Sequence, residues 1–157
     1  MSSPEIKATA AQTVAFISMR GAYSQTPEGY GRLYGWIGQH GLVTAGMPHA
    51  VYLTMPSETA EEDAVWELWA PVSGNPPESE PDDDGVGVKH VAAMTVVSSM
   101  HKGPYETVAP TYEAMWAWLG ANGYTIAGPP MEIYFSDPNT VPPEETLTEI
   151  QMPVTHR

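Results

Sequence analysis

The sequence predicts an α+β fold, a tandem pseudo-twofold repeat of two β-α-β-β modules with an antiparallel sheet and two main helices on one face. Three observations carry this expectation. A shift of 82 residues lays Thr13–Val72 on Thr95–Val154 without a gap, and 17 of the 60 paired positions are identical, so the chain is an internal duplication. Each copy holds one stretch with helical periodicity between a Pro and a Gly. Each also holds three short extended runs separated by turn residues.

The helix of the first copy is expected to start at Thr26, with Pro27 in the first helical position where its missing N–H costs nothing, and to end before Gly41. Pro110 and Gly123 bracket its counterpart. Apolar residues recur at Tyr30, Leu33, Tyr34 and Ile37, and at Tyr112, Met115, Trp116 and Leu119, the stripe of one buried helix face. Extended runs are expected over 13–20, 50–55 and 64–72, and over 91–101, 131–136 and 146–154. Two such modules would pair their sheets edge to edge, which covers exposed edges and buries both helices on one side.

The domain plan is therefore one domain over 1–157: a first module at 13–72, an acidic Pro-rich linker at 73–90 and a second module at 91–154. Ser, Gly, Pro and the acids Glu78, Glu80, Asp82, Asp83 and Asp84 cannot bury apolar surface, so that linker is expected to be a solvated connector. A repeat of about 60 residues is marginal alone, which favours fusion of the two copies.

Composition excludes several classes. The net charge is −13 with only 6 Lys and Arg, which argues against direct nucleic-acid binding, because neutralising phosphates requires clustered cations. There is no cysteine, hence no disulfide framework and no thiolate metal site. Neither a signal peptide nor an apolar run of spanning length is present, and an acidic, soluble cytoplasmic protein without membrane association is expected. Neither a metal nor a cofactor is expected: the five His show no acid at ligand spacing on a helix face, and no phosphate loop, dinucleotide fingerprint or nucleophile elbow appears. His101 reads as a satisfied surface or turn histidine.

Candidate functional residues come from comparing the copies. In the middle strand Val51 becomes Ile133 and Leu53 becomes Phe135, while Tyr52 and Tyr134 are identical. In the last strand Leu68 becomes Ile150 while Glu67 and Glu149 are retained. Core positions tolerate apolar exchange, so alternation assigns Tyr52, Tyr134, Glu67 and Glu149 to the face turned away from the helices. A strand-centre Glu has no β preference and is costly to bury unpaired. Beside Trp66, Trp69 and Gln151, it suits a flat apolar cation.

The runs His101-Lys102-Gly103-Pro104-Tyr105-Glu106, Ala127-Gly128-Pro129-Pro130, Pro142-Pro143-Glu144-Glu145 and Leu147–Val154 resemble the GyrI-like small-molecule-binding family, which includes effector-binding domains of AraC- and MerR-type multidrug-sensing regulators. The resemblance covers nearly the whole chain and is sharpest in the second copy. It implies a concave sheet, a ligand cleft where the modules meet, and Glu149 as the acid facing cationic drug-like ligands. It also implies a stand-alone multidrug-binding module, since 157 residues leave no room for a helix-turn-helix domain.

The leading expectation is sequestration or sensing of an amphipathic aromatic cation by Tyr23, Tyr52, Trp66, Trp69, Tyr105, Tyr134, Gln151, Glu67 and Glu149. The alternative is hydrolysis of cyclopropane-type electrophiles, as in some stand-alone relatives, with Glu67 and Glu149 as catalytic acid and base. A third reading is a protein partner such as DNA gyrase.

Overall fold

The computed structural model describes residues 3–54, 59–104, 107–136 and 140–156. Its elements run β1 (Glu5–Ala8), β2 (Gln12–Arg20), α1 (Thr26–Gln39), β3 (His49–Tyr52), β4 (Val65–Pro71), β5 (Val86–Val91), β6 (Thr95–Lys102), α2 (Ala109–Asn122), β7 (Tyr124–Ile126), β8 (Met131–Tyr134) and β9 (Leu147–His156). All strand pairings within each unit are antiparallel. The α+β class is as the duplication predicts, and the expected β-α-β-β order recurs in both copies, with one additional strand, β7, following α2 in the second.

The chain forms two compact units, and their boundary does not follow the sequence copies. One unit is Ala11–Ala92; the other combines Met1–Ala10 with Ala93–Arg157. The first unit has strand order β3, β4, β2, β5. The second has order β1, β6, β9, β8, with β7 pairing the last residues of β9. The 82-residue repeat explains the addition of β1 and β5: it lays Glu5-Ile6-Lys7-Ala8 on Gly87-Val88-Lys89-His90, so the duplication begins before Thr13. Each of these strands adds to the edge of the unit formed by the other copy.

The expected linker at 73–90 is thereby corrected at its C-terminal end. Val86 and Val88 are buried, at 0% and 4% exposure, and Val86–Val91 is a strand because its apolar alternation finds β2 as a partner. The acidic stretch before it folds back on its own unit instead of standing free in solvent. Ser79 bridges Val88, the Glu78 carboxylate accepts the His90 N–H at 3.0 Å, the Trp36 indole N–H donates to Asp82 at 2.7 Å, and the Arg32 guanidinium donates to the Asp84 carbonyl at 2.8 Å.

Helix α1 packs on β2 and β4 through Leu33, Trp36 and Ile37. Gly29 allows close approach: a Cβ there would lie 2.7 Å from Leu68 Cδ1 and 2.8 Å from Met19 Sδ. Helix α2 packs on β6 and β9 through Tyr112, Met115 and Leu119 against Val97, Ile150, Met152 and Val154. It ends at Gly123, whose φ of 76° is the left-handed cap that glycine adopts without strain. The expected stripe differs at Trp116, which is 40% exposed because it sits at the margin of the buried arc. His101 departs from its surface reading. It is 5% exposed, with one ring nitrogen 3.2 Å from Thr111 Oγ1 and the other 3.0 Å from the Pro104 carbonyl.

Gly87 offers a direct test of the folded-back acidic stretch, because a Cβ at this position would lie 2.6 Å from the Ser79 carbonyl and 3.0 Å from Phe16 Cε1. Backbone cannot yield as a side-chain tip does. Gly87→Ala is therefore expected to destabilise the chain by about 2 kcal/mol, measured by urea denaturation.

Candidate functional site

Strand register decides which candidate residues meet. Across β3 and β4, Val51 lies opposite Glu67 and Tyr52 opposite Trp66. Across β8 and β9, Ile133 lies opposite Glu149 and Tyr134 opposite Thr148. Opposed residues share a face, so the expected common face for Tyr52 and Glu67, and for Tyr134 and Glu149, is corrected: each tyrosine is on the helix side and each glutamate on the other. Period two was right along every strand, but a one-residue register choice between strands reverses the faces.

On the side away from the helices, each unit carries the same ion pair. Lys7 and Glu149 pair from β1 and β9, across β6. Lys89 Nζ and Glu67 Oε1 pair at 2.7 Å from β5 and β4, across β2. The Glu149 side chain is 7% exposed, and Ser98 Oγ (2.7 Å) and Gln151 Nε2 (2.9 Å) donate to the same oxygen as Lys7. Burial alone would raise this carboxyl, but hydrogen bonds from Gln151, Lys7 and Ser98 and the charge of Lys7 outweigh it and hold the group below the usual carboxylate range. Glu67, with a side chain 16% exposed, also accepts the Trp69 indole N–H at 2.9 Å.

On the helix side of the first unit, Tyr23 packs on Trp66 (ring centroids 4.5 Å apart) and edge-on to Tyr52 (5.8 Å). Among the described residues the buried Tyr23 hydroxyl and Trp66 Nε1 have no hydrogen-bond partner, and neither does Thr148 Oγ1, at the position matching Trp66 in the other copy. Trp66 and Trp69 therefore serve opposite faces. Tyr105 lies outside the described residues.

The helix side of the second unit holds an acid that sequence comparison missed. Glu132, 7% exposed, accepts Tyr112 Oη at 2.7 Å and Tyr134 Oη at 2.9 Å, one phenol on each carboxylate oxygen. Tyr112 in turn packs at 5.8 Å from the part-exposed Trp116. The first copy has Ala50 at the matching position, so a search for retained residues passes over Glu132. Lys7 and Lys89 could have been found by extending the 82-residue comparison toward the N-terminus. Among the described residues no group of three or more His, Asp or Glu could hold a metal ion, and no helix is long and apolar enough to cross a membrane.

Comparison with known families agrees with the duplication. The GyrI-like small molecule binding domain matches residues 2–73 and again 74–155. The chain belongs to the GyrI-like family. Small-molecule binding is the general property of this family, and its repeat boundaries place β1 and β5 at equivalent positions in the two copies. No curated protein matches the sequence.

Among solved structures, the C-terminal domain of EcmrR shares the fold with a TM-score of 0.76 and 23% identity, the alignment covering 98% of both chains. Against EcmrR in its DNA complex the TM-score is 0.78 at 23% identity, and this chain, 98% covered, spans only 57% of that protein. A conserved protein from Listeria innocua gives a TM-score of 0.80 at 16% identity, covering 98% of this chain and 92% of that one. The structure of SAV2435 bound to tetraphenylphosphonium gives 0.60 at 16% identity, covering 98% and 94%.

The two ion pairs differ in burial, and so should their worth. Lys7→Met leaves a nearly buried carboxylate without its cation and is expected to cost about 3 kcal/mol; Lys89→Met should cost less, because Glu67 is more exposed. The pH dependence follows from Glu149. Its folded carboxyl titrates below its unfolded value, so its stabilisation is present above about pH 4.3 and lost as pH falls through the folded value. Denaturation of Glu149→Gln is expected to show a shallower loss of stability below about pH 5 than wild type.

Proposed function

We propose that this chain binds small amphipathic aromatic cations, with Glu132 as charge partner and Tyr112, Tyr134 and Trp116 as aromatic surface. The observation that carries the reading is the grip of two phenols on one buried carboxylate. Phenol hydrogen bonds fix both oxygens of the carboxylate, and the rings offer π faces to a delocalised cation. Glu149, the acid expected from the family resemblance, already carries Lys7, Ser98 and Gln151 on one oxygen. An incoming cation would have to displace the chain's own ammonium there. The cation held by SAV2435 supports the choice of ligand chemistry and supplies a probe.

Sequestration or sensing of such compounds in the cytoplasm is the role this chemistry fits. Hydrolysis by Glu67 and Glu149 draws less support: each is ion-paired with a lysine, and Glu149 is held ionised, whereas a general acid needs a raised pKa.

Titration with tetraphenylphosphonium, followed by tryptophan fluorescence, tests the reading. Glu132→Gln is expected to weaken binding about 30-fold, the loss of about 2 kcal/mol for a desolvated charge contact, while Glu149→Gln changes it less than threefold. The reverse order would move the ligand to Glu149. No binding by the wild-type chain would refute the proposal.

A further inference from the structure

The duplicated Lys–Glu pairs sit in chemically different surroundings, and the difference lies in two matched positions. Ser98 and Gln151, which hydrogen-bond Glu149, correspond through the 82-residue repeat to Phe16 and Trp69. In the first unit the polar groups beside the carboxylate are thus replaced by rings. Phe16 lies opposite Trp69 in the β2–β4 register, so both rings stand on the face that carries Glu67. Lys89 Nζ is 4.2 Å from the centre of the Phe16 ring, 5.4 Å from that of Trp69 and 2.7 Å from Glu67 Oε1.

An ion pair that only ties strands together needs hydrogen-bonding neighbours, as Glu149 has. The Phe16 ring offers no hydrogen bond to a carboxylate, and the π faces of both rings stabilise the ammonium. One carboxylate oxygen and two aromatic faces converging on a single ammonium are the contacts by which proteins hold alkylammonium ligands. The Trp69 indole N–H also fixes that oxygen at 2.9 Å, which keeps the acceptor aimed when the ammonium leaves. The Lys89 side chain is 30% exposed, so the position is not sealed from solvent.

We propose that Phe16, Trp69 and Glu67 form an alkylammonium-binding cage, for primary and methylated amines, and that Lys89 is its tethered occupant. A tethered ammonium competes at an effective concentration of millimolar or above, which closes the cage to free amines at lower concentrations. The cage stands on its own geometry. Its consequence for stoichiometry rests on the cation-binding role proposed above: with Lys89 in place the chain binds one cation, at Glu132, and removal of the Lys89 ammonium opens a second site.

The experiment is calorimetric titration of wild type, Lys89→Ala and Lys89→Ala/Glu67→Gln with n-butylammonium chloride at constant ionic strength. Lys89→Ala is expected to gain saturable binding with a dissociation constant of roughly 1–10 mM, at least tenfold tighter than either other protein. A folded Lys89→Ala chain that binds no butylammonium overturns the cage. Wild type binding as tightly as Lys89→Ala overturns Lys89 as occupant. If Lys89→Ala is too unstable for calorimetry, its melting temperature is read in butylammonium against sodium chloride of equal ionic strength: a rise found only with butylammonium supports the cage, and equal melting refutes it. Tetraphenylphosphonium binding should be the same in Lys89→Ala as in wild type. Its failure in both, with butylammonium binding gained, would sink the Glu132 reading and leave the cage standing.

Discussion

A lysine on the edge strand reaching across the middle strand to a glutamate on the third is the interaction on which each unit depends. Lys7 does this over β6 and Lys89 over β2. An edge strand as short as Glu5–Ala8 has little apolar surface to hold it, with only intermediate burial at its two central residues. Ile6 packs on the core under α2 and the Lys7 ion pair anchors the opposite face, and β1 in turn covers an edge of β6 that would otherwise offer unpaired backbone groups. It also explains a strand-centre carboxylate in both copies: Glu67 and Glu149 are each balanced by a cation that the same chain provides.

Duplication gave the two copies one backbone and then different chemistry at matched positions. Ser98 and Gln151 surround one ammonium–carboxylate pair with hydrogen-bonding groups, and Phe16 and Trp69 surround the other with rings. On the helix side the asymmetry runs the other way. Ala50 faces Leu68 in the first unit, whereas Glu132 faces Ile150 and gathers two phenols in the second. Tyr30, the partner of Tyr112 in the repeat, donates to the His49 carbonyl at 2.7 Å where Tyr112 reaches the Glu132 carboxylate. A single difference, Ala50 against Glu132, separates an aromatic helix–sheet contact from one that holds a carboxylate between two phenols.

The element order was legible from Pro27, Gly41, Pro110 and Gly123 and from the apolar alternation, because caps and periodicity are local properties of the chain. The edge strands were not. Glu5–Ala8 is short and polar, and Val86–Val91 follows an acidic Pro-rich run, so neither announces itself until a distant partner strand is known. The site was legible only in part. Glu67 and Glu149 were noticed because they are identical in the two copies, Trp69 because it is aromatic and Gln151 because it lies two residues from Glu149, while Glu132 escaped because it occurs in one copy alone.

By itself the sequence determined the duplication, the α+β class, the β-α-β-β order and the retained acids, all of which follow from periodicity, turn chemistry and self-comparison. Only the tertiary structure decided which strands pair, and with them which residues share a face. Tyr134 joined Glu132 instead of Glu149, Trp66 parted from Trp69, and Lys89 came to rest between Phe16 and Glu67. The physical reason is register: side chains alternate along a strand whatever its partner, but the offset between strands, set by long-range hydrogen bonding and packing, chooses the face on which they meet.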